Sequence, residues 1–365
     1  MEVLHGRIRP YAWGSRSFLA SFTGRPVPSP GPEAELWLGT HPGDPSTVGS
    51  VCLRDIVVLP YLLKVLAAAE PLSLQAHPDA AQARAGYAAG DPSYVDPHHK
   101  PELLVALCDG FEALCGFREP SASASVLSSV DVLSDVVSIL DGPGPAGPRL
   151  RAAVTTLLSW PPGSRASLVA SVAGLTDLAS RYPGDVGVVV SLLLNQVTLR
   201  PGEALYMPAG NLHSYLSGVG VEIMAASDNV LRGGLTPKRV DVDGLLRVLR
   251  FEVLDDPVVR PVPVSPGVVT WPVPVSDFAL FRARVGPTAG ARVSGMAAAG
   301  AGAAEVVAVG PRIALCTGGE VGVADDHGAV RLRRGESAFS AAERPLTVSG
   351  AGEVFVAAPG SPAAP

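Results

Sequence analysis

Three stretches of this sequence concentrate side chains that bind cations or move protons. In Leu72-Ser73-Leu74-Gln75-Ala76-His77-Pro78 the polar residues fall on every second position. A strand sends alternate side chains to one side, so Ser73, Gln75 and His77 project together. Imidazole is a common metal ligand and an amide oxygen a rarer one. Taken alone, a Gln-x-His pair also fits the end of a surface strand. In His98-His99-Lys100-Pro101-Glu102-Leu103-Leu104 a polar cluster runs straight into an apolar strand. Lys100 and Glu102 share a face, and Glu102 falls where the strand enters the core. A carboxylate stripped of water needs a cation or hydrogen-bond donors. A metal ion would supply that charge, whereas an exposed loop would suit His98 better than Glu102. The third stretch runs from Ser227-Asp228-Asn229 through Arg232 to Thr236-Pro237-Lys238. Its acid, guanidinium and amine lie between apolar strands and a helix, a pattern that a solvated connection explains equally well.

These residues need elements to hold them. Short apolar runs broken by Pro and Gly predict strands at 35–39, 61–66, 72–76, 103–107 and 112–117, with a helix over 79–89 after Pro78. Then the pattern changes. Val126, Val130, Leu133, Val137 and Leu140 recur at helical steps, which predicts one helix over 124–140 ended by the Pro/Gly run at 141–148. Further helices are expected at 149–160, 164–182 and 187–196. Strands return at 197–207 and 215–225, and a helix capped by Thr236 with Pro237 at its first position would run through Leu245, Leu246 and Leu249. Beyond 251 short alternating pieces, such as 285–293, 313–315 and 354–356, predict a second all-β unit. An exposed loop is expected at 297–304 and a frayed tail after Pro359.

Composition agrees with a chain that is mainly β with a helical insert. Its 365 residues allow two or three structural units, and 40 Gly and 35 Pro favour many short strands over long helices. The core must come from Val, Leu and Ala, since only 5% of residues are aromatic. A net charge of −6 argues against a nucleic-acid partner but not against a small anion met by a few local cations. No run of about 18 apolar residues exists, and the N-terminal stretch has no apolar signal core, so no membrane association is expected. Cys52, Cys108, Cys115 and Cys316 form no CxxC pair. Neither disulfides nor an oxidising compartment are expected, and the cytoplasm is the expected location.

Pro201-Gly202-Glu203-Ala204-Leu205-Tyr206-Met207-Pro208-Ala209-Gly210-Asn211-Leu212-His213 resembles the second sequence motif of the cupins at Gly202, Pro208, Gly210 and His213. Taken with Tyr11-Ala12-Trp13-Gly14, Glu35-Leu36-Trp37-Leu38-Gly39-Thr40-His41-Pro42 and Pro60-Tyr61-Leu62-Leu63-Lys64, the stretches above resemble type I phosphomannose isomerases, in the right order along almost the whole chain. The resemblance implies two cupin-like jelly-roll β-domains plus an α-helical domain. Residues 1–118 and 197–250 would form the catalytic cupin, 119–196 the helical insert and 251–365 the C-terminal jelly roll. It implies one zinc ion on Gln75, His77, Glu102 and His213, and a catalytic role for Arg232. Trp13, Lys64, Ser73, His99, Lys100, Tyr215, Glu222, Asp228 and Lys238 match other positions lining the family's site. His98 stands where an Asn is more usual. The C-terminal unit matches only loosely, and His327 there has no second ligand set around it.

The implied reaction interconverts mannose 6-phosphate and fructose 6-phosphate through an enediol, in a protein expected to be a monomer. Its barrier lies in taking a proton from carbon and in the oxyanion that develops beside it, which a Lewis acid or fixed donors stabilise. Lys100 and His99 are the candidates for the base, and Asp228 is expected to orient His99. Arg232 suits the enediolate or the phosphate and would be a poor base. Lys64, Arg232, Lys238 and Ser73 are the candidates for phosphate, helped by the helix start near Pro237. Two alternatives share the fold: another metal-dependent cupin enzyme, and a sugar-phosphate-binding cupin without catalysis. The first class prefers a His-rich site, and the second has no need of Lys100, His99, Asp228 and Arg232 together.

Overall fold

The computed structural model describes residues 1–286 and 300–360. Two large sheets, one of 11 strands and one of 12, carry most of the chain. The site is organised by one long strand, His213–Ala225. Its first residues pair with Leu74–Ala76 and Phe111–Phe117, and the rest pairs with Tyr61–Ala68 and Glu102–Ala106. A register shift falls between Tyr215 and Ser217, followed by Gly218 at φ 120°. Any side chain on Gly218 would strike Phe111, so only glycine lets the strand pass between the two halves here.

Period-two alternation then sorts the side chains. Leu63, Val65, Leu103, Val105, Val221 and Ile223 form one core with Trp271, Leu280, Ile313, Leu315 and Phe355 of the C-terminal strands. Their neighbours Lys64, Glu102 and Glu222 therefore point to the opposite, inner face. In the other half Leu74, Ala76, Leu114 and Leu231 pack on Leu127, Leu150, Val154 and Leu157 of the helical region. That leaves Gln75 and Arg232 on the inside. Burying each such apolar side chain stabilises the fold by about 1.5–3 kcal/mol. Both outer faces are covered, so the polar inner residues are held in place.

The helical region is more broken than the apolar stripe predicts. Residues 124–140 form Pro120–Leu127, a 3-10 turn at Asp131–Leu133 and Ser134–Leu140. At the break the Ser128 hydroxyl donates to the Ser125 carbonyl at 2.8 Å, a local bond that competes with the helix ladder. Ala146–Leu158 is continuous, whereas 164–182 divides into Arg165–Ser171 and Leu178–Arg181. The segment 187–196 is helical only over Gly187–Ser191 and then becomes the strand Leu194–Leu199, paired with Phe111–Phe117. Nor does a helix start at Pro237. It spans Val242–Val248, where the Asp241 side chain caps it by accepting from the Gly244 amide at 3.0 Å; the Thr236 hydroxyl accepts from the Lys238 amide at 3.2 Å in a local turn only.

Edge strands cross between the sheets. Glu2–His5 pairs with Ser337–Ser340 in the C-terminal sheet, while Val258–Val259 pairs with Ala204–Met207 beside the site. Within the expected loop at 297–304, Gly300–Ala301 and Ala303–Val306 are strands and 297–299 lie outside the described residues. The strand piece expected at 285–293 is described only through Gly286, and the tail only through Gly360.

Candidate metal centre

His77, Glu102 and His213 converge in the interior, with one ligand atom of each lying within 4.8 Å of the others. The Nε2 atoms of both histidines stand 3.3 Å from Glu102 Oε2. All three atoms are buried and have no hydrogen-bond partner. Leaving such groups unsatisfied is costly, so the arrangement fits a cation at their common point. The opposite ring nitrogens explain the geometry. His77 Nδ1 donates to the Asn229 carbonyl at 2.7 Å and His213 Nδ1 to the Asn211 carbonyl at 3.0 Å. Those bonds fix the tautomer that turns both Nε2 lone pairs inward. Burial also pushes the His77 pKa down to about 4, which keeps the ring neutral.

Local backbone geometry brings these ligands together. Gly210, at φ 78°, donates its N–H to the His77 carbonyl at 2.8 Å and so ties the loop before His213 to the His77 segment. Gln75 is directly opposite both His213 and Arg232 across neighbouring strands, and directly opposite residues share a face. The Ser73 hydroxyl donates to Gln75 Oε1 at 3.4 Å, which steadies the amide beside the histidines.

Two buried lysines balance the acids. Lys100 Nζ lies 2.8 Å from Glu102 Oε1. Burial works against ionisation of Glu102, but Lys100 and His77 outweigh it and hold the carboxyl well below its usual range. Lys64 Nζ sits 3.0 Å from Glu222 and 3.5 Å from Glu35. Tyr215 donates to the other Glu222 oxygen at 2.8 Å. Burial raises the pKa of Glu222 and, together with Glu222, raises that of the Tyr215 phenol. Since Lys64 is already neutralised by two carboxylates inside the fold, it is a poor phosphate ligand, contrary to the expectation above.

The expected Asp228–His99 contact does not form. Asp228 pairs with His41 at 3.3 Å, and His99 Nε2 meets both Asp277 oxygens at 3.0 Å. His41 is buried edge-on against Trp37 and accepts from the Gly43 amide through Nδ1, so its Nε2–H faces Asp228. His99 instead joins its loop to the C-terminal unit. The Asp277 hydrogen bond raises the His99 pKa above its ordinary value, so the protonated ring favours the folded state. That stabilisation is fully present below the unfolded pKa near 6.5 and disappears as pH rises through the folded pKa. Asp277→Asn should therefore lower the melting temperature more at pH 5.5 than at pH 8.5. Equal losses at both pH values would rule out the charged pair.

Beside the metal ligands opens a cleft of about 800 Å³, lined by Trp13, Ser73, Gln75, Arg232 and Lys238 among others. The Arg232 guanidinium is half-buried, and its pKa is lowered by that burial. It makes no hydrogen bond or ion pair with any described residue. An unpaired cation beside a metal pocket suits an anionic ligand.

The description "Phosphomannose isomerase type I, catalytic domain" belongs to the family model that matches residues 1–58 and 57–120. The mannose-6-phosphate isomerase of Escherichia coli K12 is 34% identical over 97% of this chain and 98% of its own length. That of Schizosaccharomyces pombe is 30% identical over 96% of each. The chain belongs to the type I phosphomannose isomerase family. An alanine variant of phosphomannose isomerase from Salmonella typhimurium superposes with a TM-score of 0.88 at 32% identity, covering 99% of this chain and 100% of that one. A mannose 6-phosphate isomerase structure bound with zinc and yttrium gives 0.86 at 33% identity over the same shares. The chain is therefore an isomerase with the family's cupin architecture, and the non-enzymatic alternative falls away.

Within this phosphomannose isomerase fold, sequence reasoning missed three residues: Glu35, His41 and Asp277. Glu35 and His41 lie in a motif already recognised, so their alternation with Trp37 could have marked them as inward-facing. Asp277 carried no comparable signal.

Proposed function

We propose that this isomerase interconverts D-mannose 6-phosphate and D-fructose 6-phosphate with one zinc ion held by Gln75, His77, Glu102 and His213. The observation carrying this reading is the convergence of three partnerless buried atoms on one point, next to a cationic cleft. Two neutral imidazoles, an amide and one carboxylate suit zinc and leave it a net positive charge. When bound, zinc would polarise the substrate oxygens beside the carbon that loses its proton.

The remaining work falls to side chains. Isomerisation removes the C2 proton, forms a C1–C2 enediol and returns a proton to C1. Lys100 is our candidate for that transfer, because it is buried beside Glu102 while His99 is engaged by Asp277. Arg232 supports the enediolate, and Asp228 is held near Lys100 by His41. Trp13 and Ser73 wall the cleft, while Glu222, Lys64 and Tyr215 form the rigid polar floor behind it. Lys238 adds charge for the phosphate.

The division of the chain into a split cupin, a helical insert and a C-terminal jelly roll is part of the same proposal, supported by the core the helical region builds on one face and by the C-terminal strands' own core of Val268, Val285, Val321, Val348 and Val354. All of these site residues come from one chain, in keeping with a monomer. Among the described residues no helix is long and apolar enough to cross a membrane, and the four cysteines are free, which accords with a cytoplasmic enzyme.

The test is fructose 6-phosphate formation from mannose 6-phosphate before and after chelation. Turnover should vanish with the chelator and return with zinc. A folded, zinc-loaded protein that produced no fructose 6-phosphate would overturn the substrate assignment.

A further inference from the structure

Part of the lining of the cleft that holds Arg232 comes from the helical region. Arg181 ends the short helix Leu178–Arg181, and Tyr182 follows it; both line the cleft, as do Glu70, Pro71 and Leu72. The Tyr182 hydroxyl donates to the Pro71 carbonyl at 3.3 Å, which fixes this wall to the loop beyond Tyr61–Ala68. Arg181 and Glu70 form an ion pair across that contact, with side chains 48% and 55% exposed. A pair so open to water is weak and readily exchanged.

A phosphate monoester presents three acceptor oxygens and close to two charges, and a planar guanidinium is well shaped to take two of those oxygens. The cleft holds two other cations, Arg232 and Lys238, whose side chains have no hydrogen-bond or ion-pair partner among the described residues. Lys64 is committed to Glu222 and Glu35 inside the fold. Arg181 is thus the further cation that reaches this space, and its present partner is a carboxylate, an anion of similar geometry.

We propose that Arg181 is a phosphate-binding residue contributed by the helical region, and that Glu70 holds its place until the substrate phosphoryl group displaces it. The proposal rests on the phosphosugar reading above and assigns part of that ligand to one residue. It also gives the helical region a direct part in substrate binding, beyond covering the outer face of the sheet.

The experiment compares Arg181→Ala, Arg181→Lys and Glu70→Gln in the full chain. It reads KM for mannose 6-phosphate, kcat, and the affinity for inorganic phosphate by calorimetry. Arg181→Ala should raise KM and weaken phosphate binding by about tenfold, the loss of one charge-assisted contact, with kcat changed by no more than about threefold. Arg181→Lys should recover part of the loss. Glu70→Gln should move both constants the other way, since the competing carboxylate is gone. A purely structural bridge predicts the opposite pattern, with both partners' variants shifting KM in the same direction. That result, or constants unchanged within twofold in Arg181→Ala, would overturn the proposal. Phosphate calorimetry keeps the two readings separable. Wild-type protein without isomerase activity would defeat the substrate assignment, while an Arg181-dependent phosphate affinity would still support this site.

Discussion

Glu102→Gln is expected to abolish metal binding and to cut turnover on the order of a thousandfold, the equivalent of about 4 kcal/mol of transition-state stabilisation. The substitution keeps shape and removes charge. Glu102 Oε2 faces two imidazole nitrogens at 3.3 Å, and Oε1 faces the Lys100 ammonium at 2.8 Å. An amide can satisfy only one side. With its oxygen toward Lys100, its NH2 group fills the point where the cation would sit; turned round, it sets donors against an ammonium. Lys100 is only 7% exposed, so it would keep a buried charge without its carboxylate. Breaking a buried pair this way costs about 3–5 kcal/mol of folding stability. Metal analysis, thermal melting and steady-state turnover on the same preparation check all three parts. Stoichiometric zinc with activity within tenfold of wild type would remove Glu102 from the ligand set.

Lys100→Met should separate chemistry from metal binding. Methionine fills a similar volume with no charge and no proton. The ligand atoms of His77, His213 and Glu102 are untouched, and a bound cation would relieve the carboxylate that loses its lysine. Zinc content should therefore stay near one per chain, while kcat falls by about 10²–10⁴-fold, the usual contribution of a positioned acid or base. KM should change little, because Lys100 sits with Glu102 behind the open cleft. The metal-free variant should melt lower than metal-free wild type, since Glu102 is then buried without its cation. A kcat within threefold of wild type would mean that the proton travels by another group, and Asp228, held by His41, would be the next to replace.

Local order was legible in the sequence. Alternation in Leu74-Gln75-Ala76 sends the apolar pair to the helices and the amide to the interior, as the structure shows. The glycine and proline spacing before His213 sets the turn that meets His77. Strand-like punctuation at both ends and a helical stripe in the middle read correctly as a mainly β chain with helices inserted, because each depends on the nearest few residues. The broken helix at 124–140 kept its stripe in part: Val130, Leu133 and Leu140 are buried, whereas Val126 and Val137 are half-buried and their neighbours Leu127 and Val136 take the core positions.

Pairing across long separations was not legible. Lys64 lies 158 residues from Glu222, and His99 lies 178 from Asp277. Spacing says which way a side chain points within its own element, but not what the opposing element places there. So Lys64 read as a free cation when it is neutralised, and Asp228 read as the partner of His99 when it faces His41. The sequence by itself determined most of the element types, most of the inward-facing residues and the residues suited to a metal. Which charges cancel, which remain to meet a substrate, and which cations share a cleft were decided by tertiary structure, because electrostatics depends on distance in space and the chain's own order does not record it.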